Sequence, residues 1–363
     1  MDKKILISTG GTGGHVIPAT IIHEHLKDNF KVYMSCDVRG IQFLNQKKYN
    51  LKIINTPKIS KNFFLLPFHL LLILYFIIIS FFFLRNKKID LMISTGGYMS
   101  LPLCIASKIL NIKIFLFEPN MVLGRSNKLL LRFAKNIFCY HDQIINFPEK
   151  FKKKIVLIDR LLRKEIYNIK NNVLNKKTSN LKILITGGSQ GALFFDNNIK
   201  EIVKEFSINK NLFLLQQVSS EKKIKEIKKI YDDLKIENEL FTYDENLYQK
   251  MKNIDLAITR CGASAISDLI YFKIPFIAVP LPSSKDNHQY YNARYFSDLD
   301  CCWLIDQNNS SNQRIFKLLL SIINDKNNEY HVKKKNIEKI SSLCNWEKIN
   351  QKLVDTFNEN KIS

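Results

Sequence analysis

Short apolar runs, mostly flanked by lysine, asparagine or glycine, alternate along the chain with longer segments of helical spacing. In the first half the runs are "KKILIS", "KVYMSC", "DLMIS", "IKIFLF", "NIFCY" and "KKIVLI". In the second they are "LKILIT", "NLFLLQQV", "ELFTY", "DLAITR", "PFIAVPL" and "CWLID". Such alternation predicts repeated βα units and parallel sheets. Each half opens in the same way, with a lysine-flanked apolar run, a glycine-rich turn and an amphipathic helix. The pattern predicts an α/β chain of two similar Rossmann-like, doubly wound parallel-sheet domains, joined near residues 159–166, with a ligand in the cleft they face. The polar tract Asn172–Asn180 reads as a surface loop just inside the second domain. Near the end, Ile337, Ile340, Leu343 and Trp346, then Ile349, Leu353 and Phe357, keep helical spacing. The expected division is residues 1–160 with a returning C-terminal helix at about 341–360, and residues 161–340.

Phe63–Leu84 departs from this alternation, with 22 residues lacking a formal charge, followed by "RNKK". As a helix it reaches ~33 Å, enough for a bilayer core of about 30 Å. A single crossing would separate glycine turns that lie on either side of it in the sequence and belong to one sheet. Pro67 and His69 are also expected to break the stretch near its start. The expectation is a monotopic anchor in the membrane interface, with Arg85, Lys87 and Lys88 meeting lipid phosphates. Its rival is a fully buried helix, which seldom carries so many consecutive Phe, Ile and Leu residues.

The turns themselves are nearly repeated. "ISTGG" occurs at Ile7–Gly11 and again at Ile93–Gly97, and "ITGGSQGA" spans Ile185–Ala192. Glycine permits positive φ and close approach of a ligand, and amides at a helix start favour anions, so the turns suit diphosphates. One such turn is a weak signal; three in a two-domain frame are specific. No "GK[ST]" follows any of them, the first lacks the G-x-G-x-x-G register, and "KVYMSC" does not itself end in an acid although Asp37 follows it. Walker-type nucleotide hydrolysis and dinucleotide oxidoreduction are therefore poor fits.

Composition narrows the classes further. The 363 residues are 46% hydrophobic, ample for two cores. Seven cysteines without a C-x-x-C pair argue for reduced thiols in a cytosol and against a zinc site. The opening "MDKKILISTGG" is too short in apolar residues for a signal-peptide core. A net charge of +22 favours anionic partners, although lysines spread over an Asn- and Ile-rich chain also fit codon bias. No zinc finger, RNP-like strand or isolated basic helix accompanies the charge, so no nucleic acid partner is expected.

Taken together, "GGTGGHV" (Gly10–Val16), "GGYMSLP" (Gly96–Pro102), "EPN" with "SNK" (Glu118–Lys128), "GGSQGA" (Gly187–Ala192), "RCGASAISDL" (Arg260–Leu269) and "KDNHQYYNA" (Lys285–Ala293) resemble the MurG family in order over nearly the whole chain. The resemblance implies the two-domain GT-B fold and an inverting, metal-independent transfer of GlcNAc. The donor would be UDP-GlcNAc and the acceptor the C4 hydroxyl of lipid-linked MurNAc-pentapeptide (lipid I), giving lipid II for peptidoglycan. It implies no cofactor, a peripheral place on the cytoplasmic face of the cell membrane with its anionic surface, and other cell-wall synthesis and division proteins as partners.

By the same resemblance, His15 is the base for the attacking hydroxyl, or a hydrogen-bond donor to the acceptor diphosphate, with Glu118 the alternative base. Gly10, Gly11, Gly96, Gly97, Tyr98 and Asn127 would hold the acceptor. Donor binding falls to Thr12, Gly13, Gly14, Asn120, Arg163, Ser189, Gln190, Asp244, Arg260, Gly262, Asp268, His288, Gln289 and Asn292, with Asp268 accepting from the ribose hydroxyls. This sequence departs from the family at Asp268 (usually Glu), His288 (Gln), Asp196 (Asn), "FEPN" (usually "HEQN"), Ser264–Ala265, and "DRLLRKEI", which stands where "GNPVR" is familiar. Rival readings are another GT-B transferase acting on a membrane lipid such as diacylglycerol, and a catalytically weakened membrane scaffold.

Overall fold

A computed structural model describes residues 3–57, 64, 66–169, 181–204, 212–244, 246–308, 310–323, 328–341 and 345–358, with the side chains of 189–191, 199, 200 and 204 outside the description. The chain divides into two compact units, Met1–Lys164 with Asn345–Ser363, and Glu165–Cys344. The tract Asn172–Asn180, Leu343 and Cys344 lie outside the described residues.

The first unit runs β1 (Lys4–Ser8), α1 (Gly13–Leu26), β2 (Lys31–Cys36), α2 (Val38–Ile41), β3 (Leu51–Ile53), α3 (Leu66–Lys87), β4 (Leu91–Ser94), α4 (Leu101–Ile109), β5 (Lys113–Glu118), α5 (Arg125–Leu130), β6 (Ala134–Cys139) and β7 (Ile155–Leu157). Its strands form one parallel sheet in the order β3-β2-β1-β4-β5-β6-β7. A short helix, α6 (Lys164–Tyr167), carries the chain onward. The second unit follows with β8 (Leu181–Thr186), α7 (Gly188–Lys204), β9 (Leu212–Gln217), α8 (Glu221–Asp233), β10 (Glu237–Phe241), α9 (Leu247–Met251), β11 (Leu256–Thr259), α10 (Ala263–Tyr271), β12 (Phe276–Ala278), α11 (His288–Asp298), β13 (Cys302–Leu304), α12 (Ser311–Ile323) and α13 (Glu329–Ser341). Its sheet is also parallel, in the order β10-β9-β8-β11-β12-β13.

All twelve apolar runs named above form strands, and both sheets are doubly wound. The strand the pattern missed, β3, is a three-residue edge whose Lys52 and Ile53 are exposed, so burial leaves no apolar signature there. The last helix, α14 (Trp346–Asn358), returns to the first unit. Its Ile349, Leu353 and Phe357 are buried among Phe30, Phe115 and Phe138, and Trp346 stacks on His25 at 3.6 Å between ring centroids.

The expected break at Pro67 and His69 does not occur, because α3 runs unbroken through both residues from Leu66 to Lys87. Pro67 is the second helical residue, where no intrahelical hydrogen bond is lost and the fixed φ suits the helix. One face, Ile73, Ser80 and Leu84, is buried, and the helix packs along α4. Seven large apolar side chains of α3 are exposed: Phe68, Leu70, Leu71, Leu74, Tyr75, Ile78 and Phe82. The helix is long and apolar enough to cross a membrane, yet one face belongs to the first unit's core.

Candidate functional site

In the first unit the two copies of "ISTGG" end adjacent strands, with Ile7 beside Ile93 and Ser8 beside Ser94. The strand order reverses between β1 and β4, the place where open α/β sheets bind ligands. Beyond the strands the Thr95 hydroxyl donates to that of Thr9 at 2.9 Å, and both threonines are buried. Gly10, Gly11, Gly96 and Gly97 all adopt positive φ. They are crowded as well: a Cβ on Gly10 would lie 2.5 Å from Asp37 Oδ1, and one on Gly97 would collide with Met99 Sδ. Conformation and space both require glycine here.

His15, the third residue of α1, lies over the second turn, where a Cβ on Gly96 would come within 3.1 Å of its ring. Its Nδ1 is 2.8 Å from the Thr95 carbonyl oxygen. A carbonyl only accepts, so Nδ1 carries the hydrogen and, in the neutral ring, the lone pair lies on Nε2. That is the tautomer a general base needs.

Glu118, at the end of β5, is 4% exposed. One carboxylate oxygen accepts from the Asn120 amide nitrogens, backbone at 3.3 Å and side chain at 3.0 Å. The other accepts from Gly124 N at 2.8 Å and Asn127 Nδ2 at 3.0 Å. Both oxygens thus shape the loop into α5, and Asn127, which also donates to the Phe117 carbonyl, is set near Gly96. This geometry makes Glu118 an organiser of the loop.

Two residues escaped the motif reading. Asp37, just after β2, is buried and accepts from Gly11 N at 2.7 Å and from Gly40 N at 3.0 Å as the N-cap of α2. It also accepts from Arg39 Nε at 2.8 Å and Nη2 at 2.5 Å. The amide of Gly11 is therefore directed to a carboxylate rather than to a ligand, which revises the expectation of open amides in the first turn. The Arg39 guanidinium lies 5.0 Å from the centre of the Tyr98 ring. Burial works against its charge, but hydrogen bonding and attraction from Asp37 outweigh it and raise the Arg39 pKa. An Asp closing a strand with a short capped helix after it was the available signal. Thr12, the N-cap of α1, makes no capping bond with its side chain; Thr12 and Gly14 are exposed and Gly13 is buried.

The second unit repeats the plan. Its strand order reverses between β8 and β11, where Thr186 pairs with Thr259 and their hydroxyls lie 2.9 Å apart. Gly188 has φ +60° and Gly262 is the N-cap of α10, and a Cβ on either would meet nothing within 4 Å. Ser189 and Gln190 sit in the first turn of α7, but their side chains lie outside the described residues. The Gln289 side-chain oxygen accepts from Cys261 N at 3.1 Å and Leu281 N at 3.0 Å, so its amide NH2 is turned the other way. Asn292 donates to the Cys261 carbonyl at 3.1 Å. Helix α11 therefore fixes both polar atoms of the Cys261 backbone next to Gly262. Before it, Asp286 and Asn287 both adopt left-handed φ, and His288 Nδ1 is 2.9 Å from the Lys285 carbonyl. Asp268 stands half-buried on α10.

Other expected donor ligands are engaged inside the protein. Arg260 is 4% exposed. It donates to the carbonyls of Val279 (3.0 Å) and Pro280 (3.1 Å) and to Gln307 (2.7 Å), and lies over Phe194. Burial brings its pKa down to about 10. It braces the loop after β12. Asp244 accepts from Asn246 N at 2.8 Å and from Lys250 Nζ at 2.5 Å, capping the segment before α9. Arg163 falls in the first unit, half-buried just before α6. Asp196 is buried, accepting from Ser219 N at 2.9 Å and Gln216 Nε2 at 3.4 Å, while Tyr231 donates to Gln216 Oε1 at 2.6 Å. Among the described residues no cluster of three His, Cys, Asp or Glu side chains is arranged to hold a metal ion.

The glycosyltransferase family 28 N-terminal domain matches residues 5–139 and its C-terminal domain residues 182–345. A Pelagibacter ubique protein named UDP-N-acetylglucosamine--N-acetylmuramyl-(pentapeptide) pyrophosphoryl-undecaprenol N-acetylglucosamine transferase is 48% identical over 99% of this chain and 100% of its own. A Rickettsia felis protein of the same name is 35% identical over 89% of this chain and 91% of its own. Among solved structures, Acinetobacter baumannii MurG shares the fold at a TM-score of 0.77 and 22% identity, covering 98% of this chain and 99% of that one. An Anabaena HepE complex with UDP shares it at 0.59 and 12% identity, covering 98% and 100%.

Proposed function

The chain belongs to glycosyltransferase family 28 and, within it, to the MurG family, and from that premise we propose that it transfers GlcNAc from UDP-GlcNAc to lipid I to make lipid II. The observation that carries this reading is the 48% identity over essentially the full length of both chains. The first unit takes the lipid-linked acceptor at its paired turns, with Tyr98 and Asn127 beside them. His15 Nε2 accepts the proton of the C4 hydroxyl as that oxygen attacks the anomeric carbon. The bond from that carbon to the diphosphate breaks on the opposite face, inverting the centre, and the electron pair leaves with UDP. In the second unit the open turns at Gly188 and Gly262, with Asp268, His288 and the outward amide of Gln289, take UDP-GlcNAc. Their open space and outward donors support that assignment. UDP-GlcNAc is a substrate, and the chemistry is carried by side chains and amides without a cofactor or metal.

Lipid I is anchored in a bilayer, and the exposed apolar face of α3 suits an interface. The helix lies on the cytoplasmic face of the membrane as a monotopic anchor, its other face remaining in the first unit's core. The test follows labelled UDP-GlcNAc with a short-chain lipid I analogue in detergent, with diacylglycerol as a second acceptor. Label in the muramyl lipid alone is expected. Label in diacylglycerol, or donor binding without transfer to either lipid, overturns the reading.

A further inference from the structure

The first glycine turn presents a difficulty for an anionic ligand. Its Gly11 amide points at the Asp37 carboxylate, so a buried negative charge lies directly beneath the place where a diphosphate would rest. The group that offsets this charge is Arg39, and it does so asymmetrically. Asp37 is 4% exposed at its side chain, whereas the Arg39 side chain is 49% exposed. A ligand approaching from solvent meets the guanidinium before the carboxylate.

The guanidinium is also held in place. Asp37 grips Nε and Nη2, and the Tyr98 ring lies 5.0 Å from its carbon. These contacts fix one side of a planar group that carries five N–H donors, leaving donors beyond those Asp37 takes. They also place it between the turns: Nη2 lies 3.9 Å from where a Gly11 Cβ would be, and Tyr98 directly follows Gly97. A guanidinium oriented by a carboxylate on one edge and exposed on the other is built for fork-like hydrogen bonding to phosphate oxygens. We propose that Arg39 binds the diphosphate of the lipid-linked acceptor, with Asp37 as its positioning residue; this rests on the acceptor reading above.

The experiment measures transfer by the full chain in detergent, varying each substrate in turn, for wild type, Arg39→Gln and Arg39→Lys. A second acceptor replaces the diphosphate of the lipid I analogue by a monophosphate. Arg39→Gln is expected to raise the KM for the diphosphate acceptor about 10–100-fold, the loss of a charged hydrogen-bonding group, with the KM for UDP-GlcNAc unchanged. The defect should shrink to a few-fold on the monophosphate acceptor, and Arg39→Lys should recover part of the loss. An unchanged acceptor KM, an equal rise in the donor KM, or a defect of the same size on both acceptors overturns the proposal. So does loss of thermal stability alone, which is what a purely structural partner of Asp37 would produce. Wild type that transfers nothing to lipid I defeats the acceptor reading itself, a result seen before any variant is compared.

Discussion

The two places where the strand orders reverse use one plan with opposite finishes. Each joins neighbouring strand ends by a pair of threonine hydroxyls at 2.9 Å, and each follows the strands with glycine turns. In the first unit those turns are filled: Asp37, Met99 and His15 press against the glycines. In the second, Gly188 and Gly262 face open space. Glycine is thus required by the folded protein in one unit, while at Gly262, whose φ of −69° any residue adopts, neither conformation nor space requires it. The first pair of turns is filled by the protein's own side chains, and the second leaves open space beside its glycines.

The strongest challenge to this contrast is His15→Ala. Loss of a positioned base should lower kcat about 10³-fold, with little change in thermal unfolding, measured by transfer to lipid I at saturating substrates. Retained turnover in the folded variant would move the base elsewhere. Next, Gly97→Ala should destabilise the first unit by about 2–4 kcal/mol, since it combines a positive φ with a collision at Met99, and thermal unfolding would register it.

Acid should separate the units too. His25 is buried against Trp346, whereas His288 and His331 of the second unit are not buried. Burial lowers the His25 pKa from 6.5 to about 4, so between those values the unfolded chain binds the proton that the folded chain refuses. Its contribution is complete above pH 6.5 and declines as pH falls toward about 4, a loss on the order of 3 kcal/mol. His25→Phe, which keeps an aromatic ring against Trp346, should make stability less dependent on pH across that window, leaving the part due to His23 and His141, whose pKa values burial also lowers. The smallest effect is the most diagnostic: Gly262→Ala should leave stability unchanged and raise the KM for UDP-GlcNAc about tenfold, because the added methyl occupies space meant for the donor.

Periodicity made the architecture readable because parallel strands such as β1 and β5 are buried almost throughout and stand out as apolar runs. The repeated "ISTGG" likewise announced two equivalent strand ends, and adjacency of β1 and β4 makes them one site. Letters could not say which motif residues face inward. Arg260 sits in a motif associated with the donor, yet its hydrogen bonds run to carbonyls 19 and 20 positions away in sequence, a pairing only the fold creates. Arg39 shows the converse: outside every glycine motif, it reaches the site because α2 turns it back over Tyr98. Pro67 misled for a local reason, since a proline's effect depends on whether it falls in a first turn or an interior.

The return of α14 has a consequence for the order in which the protein comes into being. Phe30, Phe115 and Phe138 leave the ribosome roughly two hundred residues or more before Ile349, Leu353 and Phe357, which cover them. At about 5–20 residues per second, the nascent first unit waits on the order of ten to forty seconds with that surface bare. The second unit can fold as soon as its own residues emerge, so the unit begun earlier is completed later, and the interval is one in which a chaperone has a defined surface to protect.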